Sequence, residues 1–213
     1  MNYTFCEKLM WVAMTPTIFN YIKSIYPTQD MNMLKTESKR YFQEIIQRTP
    51  DIGNMFKNSL RVSLSGGIVW ISIYRAMGGE MSEDVFAGMV KETMKAPIIK
   101  KAFGGKRPFS EKAQQKKLAS TKTSNECSDS PFNWNAEFIP GRDADEYTII
   151  QRQCGLCALG KQEHLEKLIP YMCEMDYISV ELMGGVLRRT KTLAQGNDCC
   201  DFYICKKGSK WDV

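Results

Sequence analysis

Apolar residues in the first hundred positions recur at helical rather than strand spacing. Phe5, Leu9, Val12 and Phe19 mark a first helix, which Pro16 is expected to kink or end. After a turn at Pro27 to Asp30, Leu34, Tyr41, Phe42, Ile45 and Ile46 form the stripe of a second helix that Pro50 stops. Asp51 is placed to cap the next one, a long apolar run from Ile52 to Met77. Gly66 and Gly67 lie in the middle of that run, where each costs about 1 kcal/mol against alanine. They predict close helix packing or a break facing a pocket. Gly78 and Gly79 end the run, and Ser82 with Asp84 begins another helix that fades near Phe103.

From Gly104 to Pro131 the chain is polar and rich in Lys, Ser and Thr. This predicts a long connection with a short helix around Glu111 to Leu118, or a mobile flap. The pattern changes after Trp134. Glu146 to Leu159 alternates and reads as a strand, and His164 to Met183 reads as a helix kinked by Pro170. Val186 to Leu193 and Cys199 to Lys206 read as two strands joined by a turn around Gly196. Helices first and antiparallel strands later define an α+β fold, a helical N-terminal half packed on a small antiparallel sheet formed by the C-terminal third. One domain is expected over residues 1–213, divided into a helical part (1–103), a polar connection (104–133) and a part with sheet and helix (134–213).

Composition sharpens this picture mainly by exclusion. The chain is 43% hydrophobic and 25% charged, as in ordinary globular proteins. Its net charge of +5 is mild, and Lys and Arg gather only at Lys100 to Lys122 and Lys206 to Lys210. These read as a solvated loop and tail; no basic stripe interleaved with aromatics points to a nucleic acid. Met1 to Met14 carries Glu7 before Lys8 and lacks the pattern of a signal peptide. The most apolar stretch, Val62 to Met77, is shorter than the ~20 residues of a membrane span. A cytoplasmic chain without a membrane segment is therefore expected, and its eight cysteines read as free thiols. Six of them fall in the last third, at Cys154, Cys157, Cys173, Cys199, Cys200 and Cys205.

Several chemistries lack their residues. The one histidine, His164, sits in what reads as the exposed start of a helix, and a surface role is favoured over catalysis. No glycine-rich phosphate loop and no nucleophile elbow is present, so no nucleotide cofactor is expected. Cys154, Cys157, Cys173 and Cys200 could furnish four thiolates for zinc or an iron–sulfur cluster, but the second CxxC of a finger or ribbon is missing. No metal is assigned. Buried inert thiols, or one activated thiolate, remain the other readings.

What the last third does offer is polar chemistry on apolar elements. Cys173 and Asp176 are three apart on one helix face, and Asp176 lies among Met172, Met175, Ile178 and Val180. A carboxylate there must find partners or shift its pKa upward. In the strand that follows, alternation puts Arg188, Thr190 and Thr192 on one side, and Leu187, Arg189 and Lys191 on the other. At least one arginine is expected to meet an aspartate across the hairpin that returns through Cys200, Asp201 and Phe202. An arginine in a cleft is also the best clamp for a substrate carboxylate, because its fork matches two oxygens.

The run from Leu187 to Phe202, Leu-Arg-Arg-Thr-Lys-Thr-Leu-Ala-Gln-Gly-Asn-Asp-Cys-Cys-Asp-Phe, resembles the closing signature of the L-2-amino-thiazoline-4-carboxylic acid hydrolase family, an Arg-Thr-x-Thr-Leu-Ala-x-Gly stretch leading to Cys-Asp-Phe. Cys173-Glu-Met-Asp176 is similar to the family's Cys-x-x-Asp helix, Cys154 to its strand cysteine, and Trp134 fits ahead of the first strand. The resemblance is sharp over 134–205 and general before that, and Cys157 and Cys199 read as additions. It implies distant kinship with 4-vinyl-reductase-type ligand-binding domains, whose α+β fold holds a small molecule between helices and sheet.

The activity so implied is opening of a 2-amino-thiazoline ring that bears a carboxylate, giving N-carbamoyl-L-cysteine, a step towards cysteine. On that reading Asp176 or Asp201 activates water or protonates the leaving group. Arg189, helped by Thr190 and Thr192, holds the carboxylate, and Cys173 or Cys200 is the nucleophile of a covalent route. The rival reading is a non-catalytic domain of the same fold that binds a small acid, a metal or an apolar ligand. The expected partner is a small carboxylate-bearing molecule, and the apolar helices can support a homodimer.

Overall fold

Thr4 donates to the Glu7 carboxylate through its N–H, at 2.8 Å, and through its hydroxyl, across the first turn of α1 (Phe5–Ile25), at the Ser/Thr-x-x-Glu pattern that starts a helix. The computed structural model describes residues 1–213. Asp30 caps α2 (Met31–Arg48) by accepting from the N–H groups of Asn32 and Met33. Next come α3 (Leu60–Ala76), α4 (Glu83–Thr93) behind its Ser82 cap, α5 (Pro97–Gly104) and α6 (Glu111–Glu126) behind Ser110. The main core lies among α1 to α4, where Ile18, Phe42, Ile46, Leu64, Ile68 and Phe86 are fully buried.

The second half carries four strands: β1 (Asn135–Pro140), β2 (Glu146–Gln153), β3 (Gly185–Arg188) and β4 (Cys200–Lys206). They pair antiparallel in the order β1-β2-β4-β3. Between β2 and β3 run α7 (Gly155–Glu163), α8 (Ile169–Cys173) and α9 (Met175–Leu182). One sheet face packs Phe138, Tyr147, Leu187 and Ile204 against Val180 of α9, a smaller second core. The C-terminal residues reach back to the sheet: Arg188 donates to the Trp211 carbonyl at 3.3 Å, and Trp211 donates to Asp143 at 2.9 Å. The chain is therefore α+β, helical first and closed by an antiparallel sheet at its C-terminal end. No helix is long and apolar enough to cross a membrane.

Two contacts fix α7 on the helical half. At its first turn Leu156 lies against Gly67 of α3, where any side chain on the glycine would overlap the leucine. Of the two readings of the glycine pair, close packing is the one that applies. At its far end Glu163 is buried to 1% exposure and paired with Arg48 of α2 and Arg75 of α3. The site described below is built on the element these contacts hold.

Several expectations are corrected. α1 runs through Pro16 to Ile25, because the proline removes a single donor, on a turn whose Val12 faces solvent. Its buried face matches the expected one only at Phe19: Phe5, Leu9 and Val12 are exposed, whereas Met14, Ile18 and Ile22 are buried. The cause is Glu7, which enters the core to meet the buried Arg61 at 2.9 Å. Asp51 does not cap a helix; it accepts from Gly53 N–H and pairs with Arg61, and α3 starts nine residues later, at Leu60. α6 extends beyond Leu118 to Glu126, its last turn tied to β1 by Asn125, which exchanges hydrogen bonds with the backbone of Ala136.

The second half differs from the periodicity reading at four points, the first being β1, an unexpected strand at Asn135–Pro140. β2 ends at Gln153, and residues expected to continue it form α7. The helix expected from His164 is broken: His164 ends α7 in a left-handed conformation, and α8 and α9 follow as short pieces. β3 ends at Arg188, so residues 189–192 form a loop rather than a continued strand.

Candidate active site

α7 begins one residue after Cys154 because glycine stands at position 155. A Cβ at Gly155 would overlap the Phe132 carbonyl oxygen and lie 2.7 and 2.9 Å from Trp134 ring carbons. The chain can turn from β2 into the helix only by passing this close to Trp134. The turn leaves Cys154 at the N-cap and Cys157 in the first turn, on the same side of the helix. No formed side-chain bond caps this terminus, yet Cys154 sits where the Cys157 thiol and the N–H groups of Cys157 and Leu156 favour its thiolate. These neighbours, Cys157 first, draw the Cys154 thiol below its ordinary range despite burial. Cys157 is pushed the other way, as the donor of the pair.

α8 and α9 bring Cys173 and Asp176 to the same place, and β4 brings Cys200. Cys154, Cys173, Cys200 and Asp176 are close enough for their charges to act on one another. Burial pushes Cys173 up, with Asp176 adding to it, and pushes Cys200 up to about 11 while Leu193 N–H donates to its sulfur at 3.2 Å. Both are neutral thiols near neutral pH.

Arg189, the first residue after β3, closes the site from the sheet side. Its Nη1 donates to Asp176 Oδ2 at 2.9 Å and its Nη2 to the Cys173 carbonyl at 3.3 Å. The side chain is only 4% exposed. The rings of Tyr177 and Phe202 lie 5.1 and 5.3 Å from its guanidinium carbon, within cation–π range, and hold the fork in place. Three of its five N–H groups have no protein partner.

Asp176 keeps 35% of its side-chain surface accessible, beside the nearly buried Arg189. Burial raises its pKa to about 6, with Arg189 pulling the other way. Its Oδ1 accepts no hydrogen bond from the protein.

The remaining expected residues support the loop. Asp201 accepts from Thr190 N–H at 2.9 Å, Lys191 N–H at 2.6 Å and the Thr190 hydroxyl at 2.6 Å. These bonds outweigh burial and hold its pKa below the usual carboxylate value. Thr192 is buried and caps a short 3-10 turn by accepting from Gln195 N–H. The arginine–aspartate contact expected across the hairpin is therefore made elsewhere: Arg189 meets Asp176 of α9, and Asp201 binds backbone. The structure brings Cys154, Cys157, Cys173, Asp176, Arg189 and Cys200 together. It keeps Thr190 and Thr192 in the loop beside them, with Asp201 on β4 bonded to that loop.

No set of three or more Cys, His, Asp or Glu side chains is arranged to hold a metal ion. A hollow of about 810 Å³ is an open groove between α1 and α2 bordered by Trp11, Phe19, Lys35 and Lys39, with no cysteine and no carboxylate in its lining.

The family model described as L-2-amino-thiazoline-4-carboxylic acid hydrolase matches residues 62–204, more than half of the chain. The chain belongs to this family. The match runs from α3 into β4 and includes Cys154, Cys157, Cys173, Asp176, Arg189 and Cys200. The family's description is that of a hydrolase. No curated protein and no solved structure matches the chain.

Proposed function

We propose that the chain hydrolyses the ring of L-2-amino-thiazoline-4-carboxylate, or of a close cyclic amidine acid, to give the N-carbamoyl amino thiol. The observation that carries this reading is the Arg189–Asp176 pair, a guanidinium with spare N–H groups beside a carboxylate whose second oxygen is unoccupied. Arg189 receives the substrate carboxylate on its free N–H groups. Asp176, ionised above about pH 6, accepts a proton from water through Oδ1 as the water oxygen attacks the ring carbon between sulfur and nitrogen. The carbon–sulfur bond then breaks as the new hydroxyl becomes the carbonyl, its proton passing to the former ring nitrogen and the proton held by Asp176 to the departing sulfur. One water is consumed, one carbon–oxygen bond is made, and a free thiol appears.

A carboxylate with a pKa near 6 suits both transfers, because it is ionised at neutral pH and still basic enough to take the proton. Cys173 and Cys200, held as neutral thiols, line the site on this reading. Asp201 acts by positioning, since its bonds to residues 190 and 191 hold the loop that carries Arg189.

The test is incubation of the purified chain with 2-amino-thiazoline-4-carboxylate while following thiol release colorimetrically. Many thiols released per chain support the hydrolase. Saturable binding of the compound without thiol release moves the reading to a ligand-binding domain of the same fold.

A further inference from the structure

The proposed hydrolysis makes no use of Cys154 and Cys157, although the fold presents them as a matched pair. We infer that Cys154 and Cys157 form a reversible disulfide by exchange with small disulfides, Cys154 as the attacking thiol and Cys157 as the resolving one.

Four observations carry this. Cys154 is the N-cap of α7 and Cys157 lies in its first turn, so the two side chains share one side of the helix start. Both residues keep part of their surface accessible, whereas Cys199, Cys200 and Cys205 are buried. The two residues between them are closely packed: a Cβ on Gly155 would overlap the Phe132 carbonyl and the Trp134 ring, and Leu156 lies against Gly67. Such a packed turn keeps the resolving thiol next to the attacking one, which speeds an intramolecular step over reaction with a second outside molecule. Finally, the pair is electronically asymmetric: the first-turn N–H groups and the Cys157 thiol both favour negative charge on Cys154. Exchange requires one thiolate and one thiol, and the helix terminus decides which is which.

The step balances without further components. The Cys154 thiolate attacks one sulfur of the small disulfide, forms a mixed disulfide and expels a thiolate. Cys157 loses its proton to solvent and attacks the Cys154 sulfur, expelling the second small thiolate. The chain loses two electrons and two protons, and the small disulfide becomes two thiols. Cys173 and Cys200 are less suited as resolving groups, because they come from other elements, α8 and β4, and not from the helix turn that carries Cys154 and Cys157.

The test uses the whole folded chain, reduced and then exposed at neutral pH to bis(2-hydroxyethyl) disulfide, alkylated in denaturant and digested with trypsin. Cleavage after Arg152 and Lys161 releases peptide 153–161, which contains both cysteines and no other. The expected result is that this peptide escapes alkylation, is lighter by two hydrogens, and regains both alkylation sites after dithiothreitol. In Cys157→Ser the mercaptoethanol adduct persists on Cys154; in Cys154→Ser no adduct forms on Cys157. Full alkylation of peptide 153–161, or linkage of Cys154 to Cys173 or Cys200, overturns the inference. If either variant fails to fold, titrating the wild-type peptide against a mercaptoethanol redox buffer decides the question alone. The readout is mass, so it stands or falls independently of the hydrolase reading.

Discussion

Arg189 and Asp176 are thirteen residues apart in the chain, on different elements, and meet at 2.9 Å as a nearly buried guanidinium and a carboxylate that stays partly exposed. Neither is used up by the other. Asp176 commits one oxygen and Arg189 one N–H to the pair. A buried ion pair left so incompletely bonded is a poor way to stabilise a fold, since desolvation offsets much of the attraction. It is a good way to keep two charged groups ready for a ligand.

Asp176→Asn removes the proton acceptor while keeping the shape. The expected loss in kcat/KM is about 100-fold or more. In the wild type, kcat/KM rises with pH through about 6 and then levels, because the ionised carboxylate is the active form and its pKa is raised to that value. The pH–rate profile of the variant lacks this limb. An unchanged profile would remove Asp176 from the proposed reaction.

Arg189→Lys keeps the charge and loses the fork. KM for the carboxylate substrate is expected to rise roughly 10- to 100-fold, about 1.4 to 2.8 kcal/mol. The decarboxylated ring compound should bind the wild type and the variant equally well. Steady-state kinetics on both compounds separates a lost clamp from general damage, which would weaken both.

The chemistry around this pair was legible in part. Asp176 among Met172, Met175, Ile178 and Val180 is a local feature of the sequence, and so is its raised pKa. The partner of Arg189 was not legible, because strand alternation was extended past Arg188, where the chain leaves the sheet. That departure is caused by Asp201, which takes the N–H groups of residues 190 and 191 that a longer strand would have given to a neighbour. Cys154 as a helix cap was hidden for a similar reason: Leu156, Cys157 and Ala158 suit strand or helix equally. Only Gly155 marks the change, and its meaning depends on where Trp134 lies. Tyr177 and Phe202 flank Arg189 from different elements, and no sequence spacing relates them. At fold level, apolar periodicity was sufficient for α2 but misplaced the buried face of α1, because the ionic contact of Glu7 with Arg61 outweighed it.

Glu146 supplies a pH signature of the sheet. It is buried on β2, bonded to Arg142 at 2.5 and 2.9 Å and to the Tyr203 hydroxyl at 2.5 Å. The Arg142 bonds, with Tyr203 assisting against burial, hold its pKa down to about 2. A depressed folded-state value means that its stabilisation is present above the ordinary Glu range and is lost as pH falls towards 2. Thermal melting of the wild type and Glu146→Gln should differ most at pH 6 to 7 and converge between about pH 4.5 and 2. A pH-independent difference would show that the carboxylate charge is not what matters there.

Gly155→Ala tests whether the turn into α7 is as tightly fixed as the site requires. In an open helix the change would be favourable by up to about 1 kcal/mol, since alanine is the better helix former. Here the added methyl meets a backbone carbonyl and the Trp134 ring, neither of which is a flexible chain end. Either the helix start or the segment carrying Trp134, just ahead of β1, must move, and overpacking of this kind costs about 3 kcal/mol. The outcome expected is a melting temperature lower by about 6 to 12 °C. Trp134→Leu in the same chain removes part of the obstacle but leaves the Phe132 carbonyl, so it should restore only a fraction of the loss. An alanine variant that melts at or above the wild-type temperature would mean that the turn gives way easily, and that Cys154 is not held at the helix terminus by packing.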